Sequence, residues 1–171
     1  QFDYENALIY HRKALNLKVD TNSKNNSLNN IAYVYIEMQN YLKAIQILQP
    51  ITLKKEFKTQ NKKYIFLDNI GYSYFKMGDP KAIHYLKESL KLRKINNDEW
   101  GLITSYSRLA EYYLKNNPSL SKKYAFLAYH KAKKINDIND LLNNLTLLIK
   151  TSEGKQLKYY SEKYIYINDS I

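Results

Sequence analysis

With 171 residues, four glycines and three prolines, the chain has the size of one domain, and its few breakers point to long helices with short connections. The absence of cysteine excludes disulfides, thiolate metal sites and a cysteine nucleophile, and no apolar run approaches the roughly 20 residues that a membrane-spanning helix needs. The formal charge of +11 leaves two readings, a solvated lysine surface or a footprint for an anionic partner; the scarcity of arginine (Arg12, Arg93, Arg108) counts against phosphate recognition.

Taken in order, the chain alternates two apolar stripes. Tyr4-x-x-Ala7-x-x-x-His11-x-x-Ala14 opens it with a helix whose small residues let a neighbour approach closely. Leu28-x-x-Ile31-Ala32-x-x-Tyr35 follows, with the i, i+3, i+4, i+7 spacing of one helix face. The first stripe type returns as Tyr41-x-x-Ala44-x-x-x-Leu48-x-x-Ile51. Pro50 falls within that helix, where a proline costs about 3 kcal/mol, and predicts a kink or a new helical segment beginning at Pro50. Leu67-x-x-Ile70-Gly71-x-x-Tyr74 comes next, ended by Met77-Gly78-Asp79-Pro80: Gly78 suits a left-handed C′ position, Asp79 a cap and Pro80 a first turn. The pairs continue with Ala82-x-x-x-Leu86-x-x-Ser89, Tyr106-x-x-Leu109-Ala110-x-x-Tyr113 and Ala125-x-x-x-Tyr129-x-x-Ala132, the last two separated by Asn116-Asn117-Pro118-Ser119. Leu142-x-x-Leu145-Thr146-x-x-Ile149 and a break at Thr151-Ser152-Glu153-Gly154 complete the series.

The small anchors Ala32, Gly71, Ala110 and Thr146 recur at 39, 39 and 36 residues. Such a period marks stacked repeats sharing one continuous core, an architecture that presents a surface rather than housing a reaction. The expected organisation is one all-α domain: half a repeat over residues 1–20, repeats over 25–58, 61–96 and 99–136, and a degenerate last repeat over 138–171. A repeat already half over at Gln1 suggests a fragment of a longer protein.

These residues resemble tetratricopeptide repeats (TPR). The resemblance covers nearly the whole chain and implies a right-handed superhelix, an α-solenoid of helix-turn-helix units. Thr146, Ser89 and Leu157 or Lys158 depart from its small-residue pattern. The ending, residues 157–171, resembles the last repeat of TPR sensor regions in Bacteroidetes, which precede a membrane helix and a histidine kinase or LuxR-type DNA-binding domain. That resemblance implies the input region of a signalling protein, contacts a membrane only through flanking segments, and leans towards the periplasm.

In that family the first helices line a groove in which peptides bind. Position relative to each anchor then gives Asn29, Asn30, Tyr33 and Glu37; Asp68, Asn69, Tyr72 and Lys76; Ser107, Arg108, Glu111 and Lys115; and Asn143, Asn144 and Leu147. Asn30, Asn69 and Asn144 share one repeat position, and an Asn amide has the donors and acceptors to grip a peptide backbone. On that reading Asn30→Ala with Asn69→Ala weakens binding and leaves melting nearly unchanged; the abundance of Asn in the chain accounts for the coincidence as well. Tyr33 and Tyr72 stand where the carboxylate clamp of chaperone-binding TPR domains has its first Asn, so that clamp is not reproduced.

No catalytic or cofactor motif is present, and the chain reads as no enzyme and as having no cofactor or metal. His11, His84 and His130 read as packed imidazoles, Trp100 as packing at a helix entrance with a groove contact as the alternative, and Asp98-Glu99 as helix-dipole partners. The leading expectation is a protein- or peptide-binding module of a bacterial regulator. The alternatives are a homodimeric scaffold through a patch at Leu147, Leu148 and Ile149, and lysine-driven nucleic-acid binding.

Overall fold

The computed structural model describes residues 3–18, 20–60 and 62–170. Gln1, the repeat boundary at 61 and the final Ile171 lie outside the described residues. Among those described, the chain is all-α: α1 (Tyr4–Asn16), α2 (Thr21–Glu37), α3 (Tyr41–Thr52), α4 (Lys63–Lys76), α5 (Ala82–Ile95), α6 (Glu99–Tyr113), α7 (Pro118–Ile135), α8 (Ile138–Lys150) and α9 (Gly154–Asn168), with a 3-10 turn over Lys55–Thr59. Two compact units result, one ending at Ser89 and one beginning at Leu90, the boundary falling inside α5.

Short polar side chains start most of these helices. Asp3, Asp20, Asn40, Asp98, Asn117 and Asp137 each accept a hydrogen bond from the backbone N–H three residues on, at 2.8–3.2 Å. Each such cap is worth about 1 kcal/mol. The Asp20 cap places the start of α2 at Thr21, ahead of the expected boundary at 25. Gly78 has φ +74°, the left-handed conformation expected of it, and Asp79 then accepts from Lys81 N at 2.8 Å to open α5. Pro118 occupies the first turn of α7 behind the Asn117 cap.

Pro50 does not open a new helical segment. Helix α3 runs through it and ends at Thr52, so the proline sits in the closing turn, and the next helical piece starts at Lys55. Few further intrahelical bonds remain to be lost at that place.

In the first unit α1 packs on α2, α2 on α3 and α3 on α4, and α2 also touches α4. Ala32, Ala44, Leu48, Ile70, Ala82 and Leu86 have no exposed surface. Gly71 shows why the anchor is small: a Cβ there lies 2.9 Å from Leu86 N and 3.0 Å from Tyr85 Cβ, so α4 and α5 meet backbone to backbone. The departure at Ser89 also has a cause, since its buried hydroxyl donates to Tyr64 O at 2.8 Å. In the second unit α6, α7, α8 and α9 pack in chain order, and α6 touches α8. Ser121 there donates to Ala110 O at 2.7 Å, and Thr146 donates to Leu142 O of its own helix at 3.0 Å. Arg93, 5% exposed, donates to Gly101 O and, at 2.9 Å, to Ser105 Oγ, with Asp98 Oδ2 at 3.6 Å from its Nε.

Three packing expectations are corrected. His84 and His130 are exposed, and His11 is only half-buried; His130 lies against Phe126 with ring centroids 4.2 Å apart. Trp100 is 64% exposed, because Asp98 and Arg93 rather than the indole close the entrance to α6. Leu147 and Leu148 are buried and Ile149 half-buried, so the stretch completes the interior of the second unit instead of forming an outward patch.

Candidate binding surface

The first-type helices are α2, α4, α6 and α8, and the residues singled out on them divide into two groups. Asn29, Asp68, Asn69 and Asn144 are buried. Asn30, Tyr33, Glu37, Lys76, Lys115 and Asn143 are exposed, while Tyr72, Ser107, Arg108 and Glu111 are half-buried.

The buried amides are occupied by groups of the chain itself. Asn69 Nδ2 of α4 donates to Asn29 Oδ1 of α2 at 3.1 Å. In the second unit Asn144 Nδ2 of α8 donates to Ser107 Oγ of α6 at 2.9 Å and to Asp140 O at 2.8 Å, and Ser107 Oγ donates to Ile103 O at 3.0 Å. Both rungs use the same offsets: the residue two before the anchor of one first helix meets the residue three before the anchor of the preceding one. Asn30 and Asn143 stand at the unused offsets and stay exposed, since among the described residues no first-type helix precedes α2 or follows α8.

Outward from the first unit's rung lies an aromatic and apolar surface. Tyr72 presents its ring to Tyr41 edge-on, with centroids 6.4 Å apart, and Lys76 Nζ lies 5.7 Å from the Tyr72 centroid. Such a cation–π contact fixes a flat aromatic face beside a positive charge. Tyr41 continues into an open cleft of about 460 Å³ lined by Met38, Gln39, Asn40, Tyr41, Leu42 and Met77. Met38, Leu42 and Met77 are all exposed large apolar side chains. Methionine side chains are unbranched and adaptable, a property suited to receiving an apolar group of variable shape.

The motif reading passed over this cleft. Its signal was present: Met38 and Met77 close successive first helices 39 residues apart, the spacing of the anchors themselves. A turn methionine carries little meaning until the two turns are known to be neighbours.

Perturbed titrations fall away from this surface. Burial raises the Tyr74 and Tyr85 phenols, whose rings stack 5.6 Å apart, and holds them neutral. A hydrogen bond and the charge of Lys131 lower the Glu99 carboxyl, 2.5 Å from the ammonium. Among the described residues no group of three or more His, Asp or Glu is placed to hold a metal ion. No family model matches the chain, and no curated protein matches it.

Proposed function

We propose that this chain is a protein- or peptide-binding module whose helix pairs stack as a right-handed superhelix of TPR type. The ligand lies against Tyr33, Tyr72 and Lys76 and sends an apolar side chain into the cleft between Met38, Leu42 and Met77. The observation that carries this reading is the continuity of that cleft, through Tyr41, with the Tyr72–Lys76 face. Apolar area that ends in a polar or cationic tip is the usual make-up of a recognition surface. Placement in a bacterial regulator, as its input region, rests on the resemblance of residues 157–171 alone.

The test is selection from a random displayed peptide library on the whole chain, followed by titration of the enriched peptides. Peptides carrying a large apolar residue are the expected winners, and the amides of residues 38–42 and 72–77 are the expected sites of NMR shift changes. Burying an apolar side chain contributes about 1.5–3 kcal/mol, so Met77→Lys or Leu42→Lys weakens such peptides by about tenfold or more. Enrichment of peptides whose affinity ignores both substitutions would sink the proposal.

A further inference from the structure

Of the chain's surplus charge of +11, a surplus of four is gathered in one turn. Residues 1–89 hold thirteen lysines and arginines against eight acids, and five of the lysines but one acid, Glu56, fall in residues 54–63. Outside that turn the unit is nearly balanced, eight bases against seven acids. Lys54, Lys55, Lys58 and Lys62 are exposed; Lys63 is half-buried, its ammonium donating to Lys58 O at 3.2 Å.

The turn is fastened from beneath. Phe57 points inward, its ring 5.7 Å from that of Phe66, and Gln60 is 4% exposed. Asn25 Nδ2 donates to Gln60 Oε1 at 2.8 Å, and Gln60 Nε2 donates to Asn26 Oδ1 at 3.1 Å. These anchors hold the backbone, so gathering the lysines costs little further ordering on binding. Lys62 and Lys63 open α4, where acidic or capping residues are favoured, so the charge is placed against local preference. Directly before Lys54, Leu53 is 80% exposed.

We infer that this turn is a docking surface for an anionic lipid bilayer. A lysine is a compact, strongly hydrated point charge, suited to a diffuse field of headgroups and poorly suited to bidentate phosphate contacts. The turn has no arginine, and its one aromatic ring faces the core, so it lacks the stacking platform of a single-stranded nucleic-acid site. A bilayer also gives the exposed Leu53 an apolar destination below the headgroups, with the lysine stems lying along the interface.

Flotation of the whole chain with phosphatidylcholine vesicles, with and without phosphatidylserine, tests the assignment. Binding is expected only with phosphatidylserine and falls as salt rises. Lys54→Gln, Lys55→Gln and Lys58→Gln together weaken it by about fivefold per lysine, and Leu53→Gln alone by about tenfold. Removing the same charge elsewhere, through Lys24→Gln, Lys43→Gln and Lys87→Gln, changes it only a few-fold. All these side chains are exposed, and unchanged far-UV circular dichroism establishes that each variant is folded. Three results overturn the inference: binding indifferent to phosphatidylserine, equal losses in the two triple variants, or a Leu53→Gln chain that keeps full vesicle binding. The last result together with equally tight capture of duplex DNA assigns the turn to nucleic acid instead.

Discussion

The rung between Asn29 and Asn69 predicts a loss of stability where the sequence reading expects almost none. Asn69 is 4% exposed and Asn29 8%, and their amides meet at 3.1 Å. In Asn69→Ala the Asn29 carbonyl loses a donor in a place where water does not easily replace it, a penalty of about 1–3 kcal/mol. The better helix propensity of alanine returns about 0.7 kcal/mol, so a net loss near 1–2 kcal/mol is expected. Asn29→Ala costs a similar amount. The double variant leaves neither amide orphaned, and its loss falls short of the sum by about 1 kcal/mol. Asn30→Ala, at an exposed position, stays within about 0.5 kcal/mol of the parent. Urea unfolding followed by far-UV circular dichroism measures all four chains. Strict additivity, or an Asn69→Ala midpoint equal to that of Asn30→Ala, would refute the idea that the rung holds α2 and α4 in register.

Four further outcomes follow from other contacts. Gly71→Ala gains about 1 kcal/mol of helix propensity but forces Cβ to within 2.9 Å of Leu86 N, an overpacking cost of about 1–3 kcal/mol; its urea midpoint should drop, whereas relief of the glycine alone would raise it. Arg93→Met leaves the Gly101 carbonyl and the Ser105 hydroxyl without their buried donor, and a loss of about 1–3 kcal/mol is expected in the same assay. Asp140 has its pKa raised by burial and by Asp137; its contribution is therefore complete at low pH and lost as pH rises through the folded-state pKa, so Asp140→Asn should gain relative to the parent at neutral pH and lose that gain in acid. A peptide selected on this surface, scrambled at constant composition, should bind at least tenfold more weakly by titration calorimetry if side chains rather than backbone are being read.

The helix pairs were legible because their signals are local. Two stripes in constant order locate the helices whatever they pack against; the caps Asp20, Asn40, Asp98 and Asn117, which set where the helices begin, were not read from the sequence, and α2 accordingly starts at Thr21 and not at 25. The environment of a residue on an exposed-looking face is a different matter. Asn30, Asn69 and Asn144 share one offset from their anchors, yet only Asn30 is exposed. Whether such an amide meets solvent depends on a preceding first-type helix lying beside it, a tertiary fact that no single stripe carries. Trp100 and His130 failed for a related reason: position along a helix does not say which face is covered, and Trp100 stays at the surface beside the Arg93–Asp98 pair while His130 lies against the likewise exposed Phe126. Lys62 at φ +52° was similarly invisible, since nothing in a lysine pair announces a left-handed residue.

Using up the amides changes what kind of recognition the first helices can perform. Had Asn69 and Asn144 faced outward, a ligand would have been held by its backbone, and affinity would depend little on its sequence. With Asn69 bonded to Asn29, and Asn144 to Ser107 and Asp140 O, those groups instead set the spacing of neighbouring helices. The first unit then offers a ring face at Tyr72, a cation at Lys76 and an adaptable apolar cleft at Met38, Leu42 and Met77. Each of these responds to the shape and charge of a side chain, so the proposed binding function places specificity in the ligand's sequence and in the turns that close α2 and α4. Buried polar contacts that look like binding groups thus work as registration marks, and under the proposed function the recognition chemistry lies at the helix ends.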